Sequence, residues 1–234
     1  MTTLKHPPHC VDRLRTQAKQ DSRREFVARG ANAQRCPSCL MASFACFCDQ
    51  RQAQTSPVHF TLLYHYTEIH KPTNSGRLIA DLFPKQTEAY IWSRTEPEPL
   101  LLERLKAHQG RNVILFPGTD KREAAGTHLT ELPPQDSPLN IIVLDATWRL
   151  ASKMLHQSRW LDSIPTFAIH DEAIRSFKVR HAKHDNQFAT AEVAAMLLAQ
   201  ADATEQSQAL AQYYQTFNDH SMWSRRRQHS PKPT

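Results

Sequence analysis

Two runs in the chain are apolar at nearly every position rather than at alternate ones: NVILF at 112–116 and NIIVL at 140–144. A strand with one wet face alternates. A strand that is apolar throughout is buried on both faces, as in a parallel sheet covered by helices on two sides. VHFTLLYHY at 58–66 predicts a third strand, and 89–92 and 165–169 predict two shorter ones. Helical spacing separates them. Leu78, Ile79, Leu82 and Phe83 mark a helix over 75–83 that Pro84 ends. A second covers 97–108, with Leu100, Leu101 and Leu105 inward and Gly110 closing it. A third covers 147–158, where Thr147 can cap the helix. One long helix is expected over 191–217, with Val193, Met196, Leu197, Leu210 and Tyr214 on its apolar face. Residues 120–138 read as a loop punctuated by Pro and Gly. The expected fold is α/β, a mostly parallel sheet with helices on both faces. Ligands of such sheets sit at the carboxyl ends of the strands, which places 117–119 and 145–148 on one rim.

Composition narrows this. The chain has 234 residues, 40% hydrophobic and 22% charged, enough apolar material for a real core. No run of about 18 apolar residues could cross a bilayer. The opening MTTLKHPPHC has no apolar stretch before a small-residue cleavage site, so the cytosol is the expected compartment. Only 5 glycines occur, and neither GxGxxG nor GxxxxGK[ST] is found, which argues against a Rossmann turn or a Walker cradle. The net charge of +6 is uneven: residues 1–35 carry +5, 218–234 carry +3, and the middle carries −2. Basic ends on a near-neutral body fit a polyanionic partner, or serve only as solubilising tails. Residues 13–29 could form a short helix with little apolar face and read as an extension ordered by its partner.

Four of the five cysteines fall in Cys36-x2-Cys39-x6-Cys46-x-Cys48. A reducing compartment disfavours disulfides. Four thiolates within 13 residues can close around one tetrahedral ion, so structural Zn²⁺ is expected, with an iron–sulfur cluster as the rival. Cys10 is left over as an ordinary thiol.

Asp145-Ala146-Thr147-Trp148-Arg149 follows the most strand-like run and opens a helix. Asp145 could accept a proton or orient a ligand, Trp148 could stack on a flat ring, and Arg149 and Lys153 lie one turn apart, suited to phosphates. A capped helix with a buried tryptophan is the alternative reading of these residues. Asp-x-Thr-Trp resembles the signature of the DTW-domain family, tRNA-uridine aminocarboxypropyltransferases. Other stretches fit the same pattern in order from about 35 to 217. His65-x2-Glu68-x2-Lys71-x2-Asn74-Ser75-Gly76 is similar to the family's His–Glu–Arg–Asn–Thr–Gly segment. Leu115-Phe116-Pro117-Gly118 matches its strand ending in Pro, Thr190-Ala191-Glu192 its Ser/Thr-x-Glu motif, and the cysteine cluster stands before the domain. Lys71 stands where Arg is common, Ser75 where Thr is, and Ala146 where Gly is.

The resemblance implies a SPOUT-like fold with a knotted cofactor loop. It implies transfer of the 3-amino-3-carboxypropyl group of S-adenosylmethionine to N3 of a uridine in tRNA, expected in the variable loop, leaving 5′-methylthioadenosine. Expected divisions are a basic extension (1–34), a four-cysteine zinc segment (35–52), the catalytic domain (53–217) and a basic tail (218–234). Asp145, Thr147 and Trp148 are the expected catalytic residues. Leu115, Phe116, Pro117, Gly118, Thr119, Arg149, Thr190 and Glu192 are expected around the co-substrate. Lys71, Arg77, Lys153, Lys178 and Arg180, together with Arg149 and Lys183, are candidates for RNA phosphates, and Arg225–Arg227 end the long helix, where cations also suit the macrodipole. The expected partners are tRNA and S-adenosylmethionine, with no membrane, and the expected state is a monomer. A SPOUT-type RNA methyltransferase and a non-catalytic zinc-containing RNA-binding protein are the alternatives.

Overall fold

The computed structural model describes residues 6–22, 34–134, 136–169 and 188–225. Its six strands are β1 (His59–Tyr64), β2 (Thr87–Ile91), β3 (Asn112–Leu115), β4 (His128–Leu129), β5 (Asn140–Asp145) and β6 (Thr166–Phe167). They form one sheet in the order β2-β1-β5-β3-β6-β4, with every pairing parallel. β1 and β5 are neighbours inside the sheet, and their register sets Tyr64 beside Asp145.

The unbroken apolar runs have the predicted cause. Phe60, Leu62, Tyr64, Ile141 and Val143 face one side, packed with α1 (Cys10–Gln20), α2 (Arg77–Leu82), α6 (Thr190–Gln200) and α7 (Thr204–Ser224). Leu63, Ile114, Ile142 and Leu144 face the other, packed with α3 (Pro99–Ala107) and α5 (Trp148–Gln157). At about 25 cal/mol per Å² of apolar surface removed from water, this two-sided burial is the main force holding the sheet together. No described helix is long and apolar enough to cross a membrane.

Four details depart from the sequence expectations. Leu101 and Leu105 are buried, one turn apart, but Leu100 sits about 100° round the helix and is 61% exposed. The expected loop at 120–138 holds α4 (Asp120–Ala124) and β4, both too short to show a period. The expected single helix over 191–217 is two helices. Asp202 adopts φ +55° between them and reverses the chain, a left-handed residue that Asp tolerates without glycine. The helix expected at 13–29 instead spans Cys10–Gln20, with Cys10, Val11 and Ala18 buried in the core shared by the cysteine segment and β1. Burial pushes the Cys10 thiol up to about 12, leaving it protonated.

Candidate active site and metal centre

β5 delivers Asp145 to the rim and α5 begins three residues later. Thr147 occupies the position before the first helical residue, but its side chain makes no capping bond. The capping expectation therefore fails for the hydroxyl, although the Thr147 carbonyl accepts from Ala151 N–H at 2.8 Å. Trp148 is 64% exposed, so the alternative of a buried tryptophan fails. One face of its indole lies on Phe116, centroids 5.0 Å apart and planes 10° apart, which joins the carboxyl ends of β3 and β5 as predicted.

A cleft of about 780 Å³ opens here, lined by Leu115, Phe116, Thr147, Trp148, Arg149 and Thr190 among others. An apolar annex of about 150 Å³ adds Pro117, Phe167, Ile169 and Met196, and shares Phe188 and Val193 with the cleft. The sequence reading named Leu115, Phe116, Pro117, Thr147, Trp148, Arg149 and Thr190 of this wall and missed the rest, Phe188 and Val193 among them. Only the helical phase of α6 could have pointed to Val193, one turn after Thr190.

Three residues expected around the co-substrate lie elsewhere. Gly118 and Thr119 belong to the turn into α4. A Cβ on Gly118 would press on Glu123 and His128, and Thr119 accepts the backbone N–H groups of Arg122 and Glu123. Glu192 turns back onto its own helix end, where Oε2 accepts from Ala189 N–H at 2.8 Å.

Asp145 does not line the cleft among the described residues. Its carboxyl lies one layer below, 3% exposed, on the side of α2. Asn74 Nδ2 donates to Oδ1 at 2.6 Å. Asn74 is itself held, since its Oδ1 accepts from Arg77 N–H at 3.3 Å and from the Tyr64 hydroxyl at 3.4 Å. Oδ2 is buried without a hydrogen-bond partner. Gly76 makes room for it, because a Cβ there would overlap the carboxylate. Burial pushes Asp145 up to about 7; the Asn74 hydrogen bond and Lys71 pull it down, and Glu68 adds to the rise. A carboxyl that exchanges its proton near neutrality is suited to general acid–base work. Ser75 ties this turn to the other wall, accepting Ala191 N–H at 3.4 Å.

The remaining candidates divide. Arg149 and Lys153 are exposed on α5. Lys71 is paired with Glu68 at 2.7 Å. The His65 ring stacks on Trp92, centroids 6.0 Å apart, and burial lowers its pKa. Arg77 cannot reach a phosphate as expected: its side chain is 4% exposed and bound to Asp81. Arg225 is exposed at the end of α7. Lys178, Arg180, Lys183, Arg226 and Arg227 lie outside the described residues.

On the same side of the sheet as α2 and α7, the Sγ atoms of Cys36, Cys39, Cys46 and Cys48 lie within 4.8 Å of one another. Cys36 Sγ is 3.6 Å from both Cys46 Sγ and Cys48 Sγ. Four thiolates about 2.3 Å from a tetrahedral zinc would stand about 3.8 Å apart, so the cluster fits that ion. Hydrogen bonding from Cys48 pulls the Cys39 thiol down to about 5, and the same bond pushes Cys48 up.

An all-parallel α/β sheet with a cleft over its carboxyl rim is the arrangement in which sheets of this class take ligands, between strand ends and helix starts. The model of the DTW domain matches residues 33–222, and the chain belongs to the DTW domain family. That membership is consistent with a tRNA-modifying function. No solved structure matches the chain.

Proposed function

We propose that the protein transfers the 3-amino-3-carboxypropyl group of S-adenosylmethionine to N3 of a tRNA uridine. One observation carries the reading. An exposed indole backed by Phe116, a hydroxyl free of capping duty and the Arg149 cation share one cleft at the start of α5. The donor's sulfonium makes the carbons bonded to it electrophilic. Trp148 would stack on a base or on adenine. Thr147 would bond a polar edge. Arg149 and the unsatisfied N–H groups opening α5 would take the donor's carboxylate. The annex would take apolar surface. Arg149 and Lys153 would also stand near RNA phosphates.

Uridine N3 is a weak nucleophile while protonated, and Asp145 is assigned to orient the uracil or take that proton. Its carboxyl meets substrate only when the turn at 74–76 yields. The SPOUT knot belongs to the same proposal.

Incubating the full chain with labelled S-adenosylmethionine and unmodified tRNA, then analysing nucleosides by mass, tests it. A uridine gaining the aminocarboxypropyl group is expected. A methylated nucleoside, or no transfer together with no donor binding by calorimetry, would overturn it.

A further inference from the structure

The cysteine loop rests on a buried ionic network. Asp81 accepts from His9 Nε2 at 3.0 Å, Arg77 Nη2 at 3.3 Å and the Tyr213 hydroxyl at 3.3 Å, and pairs with Arg51 Nη1 at 3.4 Å. Arg51 stands three residues after Cys48. Asp12 pairs with Arg15 at 2.9 Å, and the same Arg15 Nη2 donates to the carbonyl of Pro37, the residue after Cys36, at 3.1 Å. His6 Nε2 meets the carbonyl of Cys48 at 2.7 Å. The N-terminal segment thus touches the loop at both of its ends. It also lies outside the family match, which begins at residue 33.

The charges do not balance. Three guanidiniums, of Arg15, Arg51 and Arg77, face two carboxylates, of Asp12 and Asp81. Arg77 Nε and Nη1 have no hydrogen-bond partner, and the residue is 3% exposed. A buried cation beyond its carboxylate partners is costly unless another anion stands near. Four thiolates around a divalent ion carry a net charge of −2; Arg15 bonds the backbone between Cys36 and Cys39, and Cys39 is among the groups whose charge acts on Arg77.

We propose that Arg15, Arg51 and Arg77 supply the counter-charge of the four-cysteine metal centre, so that the helix Cys10–Gln20 is a working part of that centre. The inference is independent of the reaction proposed above. It replaces the sequence expectation that the basic N-terminal extension waits for a polyanion, at least for Arg15.

The test is zinc affinity of the full chain, by competition with a chromophoric chelator at fixed pH, with thermal midpoints measured in parallel. Arg15→Gln and Arg77→Gln each lose about 10-fold in zinc affinity, the low end for groups supporting metal ligands. Arg15→Lys, which keeps the charge, retains most of it. Asp12→Asn removes a negative charge from the same network and leaves zinc affinity unchanged or tighter, even where the thermal midpoint falls. Arg15 carries the test if Arg77→Gln does not fold, because its side chain is 10% exposed at the edge of the network. Zinc affinity within twofold of the unaltered chain in Arg15→Gln would overturn the proposal. So would an Asp12→Asn variant that loses zinc in step with its stability, since the network would then be only a clamp.

Discussion

Two aspartates on one side of this sheet are equally buried and oppositely treated. Asp81 is 1% exposed and Asp145 is 3% exposed. Burial works against the charge of both. At Asp81 the Arg77 guanidinium, the His9 hydrogen bond and Arg51 outweigh it and hold the carboxyl well below the usual carboxylate range. At Asp145 only the Asn74 amide and the more distant Lys71 charge oppose it, one oxygen has no partner, and the carboxyl is pushed up to about 7. The first is a charge the fold has neutralised in order to join four segments. The second is a charge the fold leaves poised, a costly arrangement that local stability does not explain.

The comparison breaks most visibly at Asp81. Asp81→Ala leaves Arg77 and Arg51 buried without their acid, and the expected loss is about 3–5 kcal/mol of folding stability, read by urea denaturation. Asp145→Asn reverses that outcome. Proton-transfer roles contribute about 10²–10⁴-fold, so transfer to tRNA falls by that order while the fold survives. Stability moves the other way with pH. The folded carboxyl holds its proton up to about 7 and the unfolded one only to about 4, so the native state binds the extra proton between them. Asp145 therefore contributes a loss of stability as pH rises from about 4 to 7, of roughly 2–4 kcal/mol, and nothing further above that. Asp145→Asn removes this slope and melts higher at pH 8, but not at pH 4. Activity that depends on the carboxylate rises over the range in which stability falls. A variant that melts lower at pH 8 would place Asp145 with Asp81.

Gly76 sharpens the same contrast with neither acid substituted. Gly76→Ala drives a methyl group into the Asp145 carboxylate and within 3.1 Å of the Tyr64 hydroxyl. Overpacking of this kind costs about 1–3 kcal/mol. Here it also shifts the Asn74 bond, so activity falls further than stability does. Equal losses, measured by product analysis and thermal melts, would show that the turn only packs.

The strands were legible because burial on both faces writes itself as continuous apolar runs, as at Ile141–Leu144. The rim was legible because strand ends in such a sheet converge, and Phe116 meets Trp148 across it as expected. Direction and partnership were not legible. Nothing in Asp-x-Thr-Trp says that Asp145 turns below the rim while Trp148 turns outward, since that depends on where Gly76 leaves space. Arg77 read as a surface cation because its partner, Asp81, lies one helical turn away in a helix of only six residues. The helix Cys10–Gln20 read as a polar extension because its buried face is built from Cys10, Val11, Ala18 and charged pairs rather than a leucine stripe.

Trp148 tests the cleft side of the comparison with the smallest effect. The side chain is 64% exposed and covered on one face only, so Trp148→Ala should change folding stability by no more than about 0.5 kcal/mol. Stacking of a base or adenine on an indole is worth about 1–3 kcal/mol, and that is what the variant should lose in substrate binding. Trp148→Phe keeps a ring against Phe116 and should recover part of it. Two titrations locate the partner. Weakened S-adenosylmethionine binding in calorimetry places adenine on the indole. Unchanged donor binding with a raised tRNA dissociation constant places the uridine or a neighbouring base there. If neither moves, the exposed indole is not a stacking platform, and the polar start of α5 must hold its substrates through Thr147 and Arg149 alone.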